Sequence, residues 1–318
     1  MKAVFLDFAT MGDGLDITPL QEVTSDLEIY DTSTPAEAAE RITDASIVYT
    51  NKINLSDDLI TAAPQLKFIG LTATGTDNID TASAARHGIA VCNIRSYCTA
   101  SVTEHVMGTL LSLAHSLPGF QQSVAAGEWQ TSDSPFLLAH SIRELSAMTL
   151  GIVGYGELGR GVARAAETFG MKVIVSARPG SSDTTPEGRV AFDTVLAEAD
   201  VISLHCPLNA QTRGLFGAAQ FASMKNNAIL INTARGGLVD SAALAEALAT
   251  GQIGAAAVDV LPVEPPSDGD PLLEYKGTNL IITPHIAWAS NVARQNAIDE
   301  LAANARAFID GERRNRVV

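Results

Sequence analysis

Three ionisable residues follow separate apolar runs in the C-terminal half of the chain. Arg235 follows "NAILINTA", Glu264 comes shortly after "AAAVDV", and His285 follows "NLIITP". An imidazole can donate a proton, a carboxylate can orient that imidazole, and a guanidinium fork can bind a substrate carboxylate. Taken singly, such side chains are more often a surface cation, a solvated acid and a structural histidine. Taken together at the strand ends of one sheet, they predict a catalytic group.

A glycine-rich turn, "GIVGYGELGR", precedes these residues in the chain. Gly154, Gly156 and Gly159 match G-x-G-x-x-G between an apolar strand and a helix, where glycines permit a tight turn, the approach of a pyrophosphate and close helix packing. Glu157 and Leu158 begin that helix, whose first N–H groups favour an anion. Two alternatives are a turn that binds no ligand and a methyltransferase, which would share the glycines without requiring the three ionisable residues.

Short apolar runs alternate with amphipathic stretches along the whole chain, which indicates βα repetition and parallel sheets covered by helices on both faces. Between two sets of strands, "TASVTEHVMGTLLSLAHSL" places apolar side chains at helical spacing and predicts a connecting helix. Those side chains are Val102, Val106, Leu110 and Leu113. The predicted strands are "AVFLDF", "ASIVYT", "LKFIGLTA", "IAVCNI", "LGIVGYG", "MKVIVSA", "ADVISLHC", "NAILINTA", "AAAVDV" and "NLIITP".

The chain returns to a helical pattern near its end, in "NVARQNAIDELAANARAFIDG". A terminal helix beside the first set of strands would close one discontinuous domain. The 318 residues are enough for two domains that each bury a core. We therefore predict one domain of residues 1–99 and 288–318 and a second of residues 100–287.

Composition narrows the classes of partner. A formal net charge of −15 disfavours nucleic acid and anionic membrane surfaces, and the basic tail "GERRNR" is interpreted as a solvated end. Cys92, Cys98 and Cys206 are odd in number and lack C-x-x-C spacing, so we expect no metal site and a reducing compartment. The start "MKAVFLDFAT" lacks the pattern of a signal peptide, and no segment has the apolar length of a membrane span. We therefore expect a cytoplasmic protein.

The segment 121–149 is long and poorly periodic, and it carries Trp129 and Phe136. Long connections in compact domains usually have a function. These aromatic side chains could lie under a loop of the same chain or pack against a second copy. We favour the second interpretation, a homodimer, because exposed apolar patches tend to mark interfaces.

The chain resembles the D-isomer-specific 2-hydroxyacid dehydrogenases over nearly its whole length. Within that family it is most similar to the glycerate dehydrogenase or hydroxypyruvate (glyoxylate) reductase branch, through "TNKINL", "SLHCPL" and "ANARAFIDGE". The resemblance implies two Rossmann-like doubly wound domains, a flavodoxin-like substrate domain and a nucleotide-binding domain, with a cleft between them. The stretches that carry it, in the order of the family, are "LTATGTDNID", "TASVTEHVMGTLL", "LGIVGYGELGRGVA", "VISLHCPLNAQTRGLF", "LINTARGGLVD", "VDVLPVEPP" and "TPHIAW".

The family's chemistry is hydride transfer between a nicotinamide and a small 2-keto or 2-hydroxy acid, here hydroxypyruvate or glyoxylate giving D-glycerate or glycolate. The resemblance implies that His285 donates the proton and also contacts the nicotinamide. It implies that Glu264 hydrogen-bonds the imidazolium, favouring its protonated form, and that Arg235 binds the substrate carboxylate and carbonyl oxygen. In the turn "TATGTD", backbone N–H groups of Thr74 and Gly75 would bind the acid.

Further roles follow from the same resemblance. Asn51 and Lys52 would shape the pocket for a substrate hydroxyl. Thr233 and Asp259 are similar to the family's contacts near the nicotinamide ring, whereas Cys206 and Pro207 are similar to its loop beside the adenosine half.

One stretch departs from the family. "VIVSARPG" ends where dinucleotide-binding proteins usually have an acid that accepts hydrogen bonds from the ribose hydroxyls, and here Ser176, Ala177 and Arg178 stand there. Loss of the acid removes a charge that would repel a 2′-phosphate, and Ser176 and Arg178 could bind one. Alternatively, Arg178 points to solvent and the acid was lost without gain. We expect NADP(H) to be preferred, with NAD(H) possible.

A different class of function shares this fold and these residues. Transcriptional corepressors related to the family bind a dinucleotide as a signal and retain the three catalytic residues. Those proteins use additional peptide-docking surface and tails, whereas this chain begins and ends within a residue or two of the expected fold. We therefore predict an enzyme, with a dinucleotide-sensing binding protein as the alternative.

Overall fold

The computed structural model describes residues 1–178 and 186–318. The chain divides into two compact units. Unit 1 comprises Met1–Cys98 and Ala289–Val318, and unit 2 comprises Thr99–Trp288. The first unit is therefore formed from both ends of the chain.

Unit 1 contains a five-stranded parallel sheet in the order β2-β1-β3-β4-β5, with helices between successive strands. This is the strand order of flavodoxin-like folds. The strands are β1 (Ala3–Phe5), β2 (Leu27–Ile29), β3 (Ile47–Thr50), β4 (Phe68–Leu71) and β5 (Ala90–Cys92). The helices are α1 (Thr18–Gln21), α2 (Pro35–Ile42), α3 (Asp57–Thr61), α4 (Thr81–Arg86) and α12 (Asn291–Ile309), with a 3₁₀ turn at Phe8–Met11.

The terminal helix α12 packs on strand β4 of unit 1. A Cβ atom at Gly70 in β4 would lie 2.6 Å from Leu301 Cδ1, so the helix packs closely on the strand at this glycine. Leu301 is fully buried there. The last helix therefore lies beside the first set of strands, and its buried face belongs to the core of unit 1.

Unit 2 contains a six-stranded parallel sheet in the order β11-β10-β9-β8-β6-β7. The strands are β6 (Thr149–Val153), β7 (Lys172–Val175), β8 (Val201–Leu204), β9 (Ile229–Asn232), β10 (Ala255–Val258) and β11 (Leu280–Ile282). The helices are α5 (Thr99–Ala114), α6 (Leu117–Ala125), α7 (Glu157–Thr168), α8 (Phe192–Glu198), α9 (Ala218–Ser223), α10 (Ser241–Ala249) and α11 (Pro271–Glu274), with 3₁₀ turns at Leu145–Ala147 and Gly236–Leu238.

The strand order of unit 2 determines where chemistry can occur. Strand β7 lies on one side of β6, and strands β8 to β11 follow in order on the other side. The strand order therefore reverses between β6 and β8, which is the topological switch point of the sheet. Because every described pairing is parallel, the carboxyl ends of all six strands lie at one edge. Ligands of doubly wound sheets bind at such an edge. The predicted α/β fold class with two doubly wound sheets is confirmed.

The local predictions succeeded for helices and internal strands and failed at an edge. The connecting helix is α5, and its predicted apolar positions are buried. Strand β2 was missed because it is a three-residue edge strand, "LEI", whose residues are only half-buried. The first residues of segment 121–149 continue helix α6 to Ala125. Within the described residues, no helix combines the length and the apolar character that a bilayer crossing requires.

Candidate active site

His285 and Glu264 form a close pair in unit 2. Nδ1 of His285 lies 2.5 Å from Oε2 of Glu264, although the two residues are 21 positions apart in the chain. The other carboxylate oxygen, Oε1, accepts the backbone N–H of Leu261 at 2.8 Å. The His285 side chain is 29% exposed and that of Glu264 is 34% exposed, so the pair is accessible to a ligand. A carboxylate on Nδ1 fixes the orientation of the ring and leaves Nε2 as the reactive nitrogen.

The backbone of His285 adopts a conformation that non-glycine residues rarely use. Its φ is +58°, in the left-handed region. The backbone N–H of His285 donates to the carbonyl of Asp259 at 2.7 Å, and Trp288 Nε1 donates to the carbonyl of His285 at 3.0 Å. The surrounding contacts therefore hold the backbone in this conformation and aim the imidazole.

Asp259 anchors the loop that carries His285. Its buried carboxylate accepts the backbone N–H groups of Ile286 and Ala287, each at 2.9 Å, and the hydroxyl of Thr283 at 2.5 Å. His105 Nε2, on α5, lies 3.2 Å from the same Thr283 hydroxyl. The resemblance places Asp259 near the nicotinamide ring, and the structure adds that its carboxylate holds this loop. The sequence analysis does not identify His105, whose only signal is an imidazole on a helix.

Arg235 follows strand β9 and is half-buried, with Nη1 donating to the carbonyl of Ala234 at 2.8 Å. A Cβ atom at the next residue, Gly236, would lie 2.0 Å from the carbonyl carbon of Leu261. The backbone after Arg235 is therefore pressed against the backbone that leads to Glu264, and only glycine permits that approach. The loops after β9 and β10 thus bring Arg235 and Glu264 to the same part of the sheet edge.

The glycine-rich turn has the geometry that the sequence predicted. Gly154 has φ of +98°, and a Cβ atom there would lie 2.5 Å from the backbone nitrogen of Cys206. A Cβ atom at Gly159 would lie 2.2 Å from the carbonyl oxygen of Gly154, whereas one at Gly156 would meet nothing within 4 Å. The space over Gly156 is open at the start of α7, where the N–H groups of Glu157 and Leu158 have no acceptor within the helix.

Two buried polar atoms that follow the neighbouring strands β8 and β9 have no hydrogen-bond partner among the described residues. They are Oγ1 of Thr233, after β9, and Nδ1 of His205, after β8. Burial lowers the pKa of His205 to about 4, so its imidazole is neutral at pH 7. Burial raises the pKa of the adjacent Cys206 thiol, so that thiol remains protonated, and Pro207 beside it is exposed. Open space over a glycine turn and unpartnered polar atoms at the strand ends fit a dinucleotide cofactor.

The end of strand β7 has fewer polar contacts than the strand ends described above. Ser176 is 2% exposed, and its hydroxyl donates to the carbonyl of Ala177 at 2.6 Å. Ala177 is also buried, whereas Arg178 is exposed. No carboxylate side chain stands at these three positions, so the edge lacks the acid that would accept hydrogen bonds from ribose hydroxyls.

In unit 1, the predicted residues Asn51 and Lys52 follow strand β3. Their backbone N–H groups donate to the buried carboxylate of Asp7 at 2.9 and 2.6 Å. The Asn51 side chain donates to the Thr10 hydroxyl at 3.1 Å. Asp7 was missed by the sequence interpretation, although an acid directly after an apolar strand, in "AVFLDF", is a usable signal. It holds the loop that presents Asn51 and Lys52.

The turn after strand β4 carries Thr74 and Gly75. The Thr74 hydroxyl donates to the carbonyl of Ile94 at 3.1 Å, and Asn93 Nδ2 donates to the carbonyl of Thr74 at 2.7 Å. The backbone N–H groups of Thr74 and Gly75 have no acceptor among the described residues. Side-chain contacts therefore hold the turn while its N–H groups remain available to an anion. No group of three or more potential metal ligands occurs in residues 1–178 or 186–318.

Comparisons with known proteins agree with this geometry. The family model described as "D-isomer specific 2-hydroxyacid dehydrogenase, NAD binding domain" matches residues 107–287. This chain belongs to that family. It is 42% identical to a glycerate dehydrogenase of Methylorubrum extorquens, over 99% of this chain and 98% of the relative. It is 35% identical to a hydroxypyruvate reductase of Blautia hydrogenotrophica, over 98% of each chain.

A solved structure shares the whole fold. The acyclic imino acid reductase Bsp5, determined with NADPH and D-Arg, superposes with a TM-score of 0.86 at 27% identity and full coverage of both chains. The protein is a nicotinamide-dependent oxidoreductase of the 2-hydroxyacid dehydrogenase family. The predicted enzyme class is confirmed, and these relatives lend no support to a dinucleotide-sensing corepressor.

Proposed function

We propose that the protein reduces hydroxypyruvate or glyoxylate to D-glycerate or glycolate and prefers NADPH to NADH. The observation that carries this proposal is the 2.5 Å contact between His285 Nδ1 and Glu264 Oε2 at the carboxyl edge of a dinucleotide-binding sheet. A 2-keto acid reductase needs one proton donor held beside the reacting carbonyl, and this pair supplies it.

The chain's own residues divide the work of the reaction. A bound nicotinamide supplies the hydride. His285, oriented through Nδ1 by Glu264, gives the proton of Nε2 to the oxygen that becomes the hydroxyl group. Glu264 stabilises the positive charge on the imidazole before that transfer. Arg235 places a planar, permanently charged fork against the substrate carboxylate and carbonyl oxygen, so it both orients the acid and stabilises charge that develops on the oxygen.

For the substrate, we propose that the available N–H groups of Thr74 and Gly75 bind the carboxylate. Asn51 and Lys52, held by Asp7, would recognise a hydroxyl group on the third carbon. This assignment favours hydroxypyruvate over pyruvate, because a site with polar groups for a hydroxyl leaves them unpaired when the hydroxyl is absent. The glycerate dehydrogenase and hydroxypyruvate reductase relatives support this substrate class.

For the cofactor, we propose that Gly154, Gly156 and Gly159 hold the pyrophosphate together with the N–H groups of Glu157 and Leu158. Cys206 and Pro207 would border the adenosine half, and Thr233, Asp259 and His285 would lie near the nicotinamide. The Thr233 hydroxyl, which is buried and has no hydrogen-bond partner among the described residues, supports this placement.

The preference for NADPH rests on the end of strand β7. Ala177 removes the charge that would repel a 2′-phosphate, and the exposed Arg178 can pair with one. Ser176 would join by rotating its hydroxyl away from the Ala177 carbonyl. The NADPH-bound imino acid reductase shows that the fold accommodates this cofactor, while the matching family model is described as NAD binding.

A steady-state assay tests the reaction and the cofactor together. Hydroxypyruvate, glyoxylate and pyruvate are each supplied with NADPH and with NADH, and kcat and KM are measured for all six pairs. We expect the highest kcat/KM for hydroxypyruvate or glyoxylate with NADPH, and a lower value for pyruvate. Loss of turnover in all six pairs, with cofactor binding retained, would instead support the sensing protein.

We also propose that the protein is a homodimer held largely by segment 121–149. Within it, Trp129, Phe136 and Leu138 are 53%, 71% and 81% exposed, so the described part of the chain does not cover them. An apolar group of this kind is typical of an interface. Sedimentation equilibrium at micromolar concentration should give the mass of two chains, and Phe136→Glu should give that of one. A monomeric wild-type protein would contradict the proposal.

The compartment is inferred from the cysteines. Cys92 and Cys98 are buried, Cys206 is half-buried, and all three are free thiols. Burial also raises the pKa of Cys92 to about 11, which keeps that thiol protonated. Free thiols are typical of reducing compartments, so we propose that the protein works in the cytoplasm. A thiol titration that gives three reactive groups after denaturation would agree with this.

A further inference from the structure

Arg189 lies beside the end of strand β7, although the chain reaches it only eleven residues after Arg178. Val190 forms a parallel bridge with Ser176, in which Ala177 donates its N–H to the Val190 carbonyl at 2.7 Å. This pairing fixes the backbone of Arg189 at the sheet edge. The half-buried Arg189 side chain then donates from Nη1 to the carbonyl of Ser176 at 3.1 Å.

The guanidinium of Arg189 also reaches the glycine-rich turn. Its central carbon lies 5.2 Å from the ring centroid of Tyr155, the residue between Gly154 and Gly156. The cation therefore lies between the turn that would hold the pyrophosphate and the strand end that would meet the adenosine ribose. Stacking on an aromatic ring and one hydrogen bond restrict its position. A guanidinium has five N–H donors, and among the described residues one of them is used here.

No carboxylate of the described residues forms an ion pair with Arg189. A half-buried cation that forms no ion pair with the described residues, beside a strand end that lacks the usual acid, is suited to an anionic ligand. Arg178 is exposed and has neither the ring contact nor the carbonyl contact. The two arginines thus differ in how firmly they are held.

We propose that Arg189 is the main determinant of NADPH selectivity in this protein, with Arg178 as a weaker second contact to the 2′-phosphate. This inference rests on the proposed preference for NADPH. A cation whose position is already restricted loses less conformational entropy when it binds a phosphate, and a half-buried charge pair is screened less by salt than an exposed one. Arg189 therefore contributes more than Arg178, and its contribution persists at higher ionic strength.

The experiment separates the charge of Arg189 from its hydrogen bond to the Ser176 carbonyl. Arg189→Gln keeps an N–H donor for the Ser176 carbonyl but removes the charge, and Arg189→Lys keeps the charge but removes the fork. Arg178→Gln is the matched comparison, and Arg164→Gln, an exposed cation further along α7, controls for net charge. Dissociation constants are measured for NADPH, NADH, 2′-phospho-ADP-ribose and ADP-ribose, with thermal melting of each variant.

We expect Arg189→Gln to weaken NADPH and 2′-phospho-ADP-ribose about ten-fold or more, since a charge-assisted pair contributes roughly this much, with NADH and ADP-ribose changed less than about two-fold. Arg178→Gln should cause a smaller loss of NADPH affinity, and this loss should disappear at high salt. Arg189→Lys should cause an intermediate loss of NADPH affinity, and Arg164→Gln should cause none. The melting temperature of Arg189→Gln should stay close to that of wild type.

Three results would overturn the inference, and they differ from one another. If wild type binds NADPH and NADH equally, the proposed cofactor preference itself is wrong. If wild type discriminates and Arg189→Gln discriminates as well, the preference stands and Arg189 is not its source. If Arg189→Gln weakens all four ligands equally or lowers the melting temperature strongly, the role of Arg189 is structural, through its contacts to Ser176 and Tyr155.

Discussion

Two groups of residues at the same sheet edge are built very differently. The His285 cluster, which we define as Asp259, Glu264, Thr283 and His285, is held by short hydrogen bonds to backbone and side chains. The Ser176 edge, which we define as Ser176, Ala177, Arg178 and Arg189, has one guanidinium contact to a carbonyl and one exposed arginine. The first is fixed from several directions, whereas the second depends on a few charges.

The difference follows from what each group has to do. Proton transfer requires the donor and acceptor atoms to be placed within a fraction of an ångström, so the His285 cluster needs redundant support. Discrimination between two cofactors requires only a charge of the right sign near a phosphate that does not react. Substitutions in the His285 cluster should therefore lower kcat, whereas substitutions at the Ser176 edge should change cofactor affinity and little else.

The largest effect is expected for His285→Ala. Loss of the proton donor should lower kcat for reduction by about 10²- to 10⁴-fold, the usual contribution of a general acid, while the dissociation constant of the cofactor stays near that of wild type. Single-turnover kinetics and cofactor fluorescence measure the two quantities. His87→Ala, which removes an exposed histidine after α4, serves as the control. Unchanged turnover would show that His285 does not donate the proton, and the proposed difference between the His285 cluster and the Ser176 edge would then be wrong.

A smaller loss is expected for Arg235→Lys. An ammonium group keeps the charge but cannot reproduce two parallel hydrogen bonds, so kcat/KM for the keto acid should fall by about 10- to 100-fold with cofactor affinity nearly unchanged. Steady-state kinetics at saturating cofactor give the first value, and titration gives the second. A loss confined to cofactor affinity would show that Arg235 is a nucleotide contact.

At the Ser176 edge, Ala177→Asp should reverse the cofactor preference. The new carboxylate adds a ribose acceptor and repels a 2′-phosphate, so the ratio of kcat/KM for NADPH to that for NADH should fall by about 10- to 100-fold, chiefly through KM. Ala177→Asn has a similar shape without the charge and should give a smaller shift. In wild type, the share of the preference that the exposed Arg178 contributes should weaken at high salt. Equal KM values for the two cofactors in wild type would show that the acid was lost without a phosphate site replacing it.

The smallest effect is expected away from both groups, in the C-terminal tail of unit 1. Arg314 binds both carboxylate oxygens of Glu300, at 2.7 and 2.8 Å, and this hydrogen bonding holds the pKa of Glu300 below its usual value of 4.5. Because the folded-state pKa is lowered, the bridge stabilises the fold above about pH 4.5 and loses its effect as the pH falls through the lowered pKa.

Glu300→Gln should accordingly lower the free energy of unfolding by about 1 kcal/mol at pH 7, and the difference from wild type should shrink below pH 4. Urea unfolding at pH 7 and pH 3 measures it, with the exposed Glu312→Gln as the control. Both variants should keep wild-type kcat and cofactor affinity. A change in kcat or cofactor affinity in Glu300→Gln would show that a substitution away from both the His285 cluster and the Ser176 edge can alter activity, which would contradict this prediction.

The sequence was most informative where local pattern suffices. Apolar runs identified all the described strands except β2, an edge strand whose half-buried "LEI" gives little signal. The glycine spacing indicated the turn at Gly154, because a positive φ and a close backbone contact both require glycine there. Arg235, Glu264 and His285 were found because each follows a strand, and the carboxyl ends of parallel strands share one edge.

What the sequence did not show depends on contacts between distant parts of the chain. The position of Asp7 after an apolar strand marks it as a candidate, but no local pattern shows that its carboxylate binds the backbone of Asn51, 44 positions away. His105 looks like any helical histidine until strand β11 brings Thr283 beside it. Arg189 was not identified because it lies eleven positions after Arg178, and only the bridge between Val190 and Ser176 returns it to that edge.

The sequence by itself determined the fold class, the family, the dinucleotide-binding turn and the residue types available for acid–base chemistry, because these depend on local spacing and on the side chains themselves. Only the tertiary structure decided which of those side chains meet. The order β11-β10-β9-β8-β6-β7 brings the ends of six strands to one edge, and the loop contacts there set the His285–Glu264 distance, the role of Asp259 and the position of Arg189. The physical reason is that strand order and loop packing are set by the burial of the whole core, which no short stretch of sequence encodes.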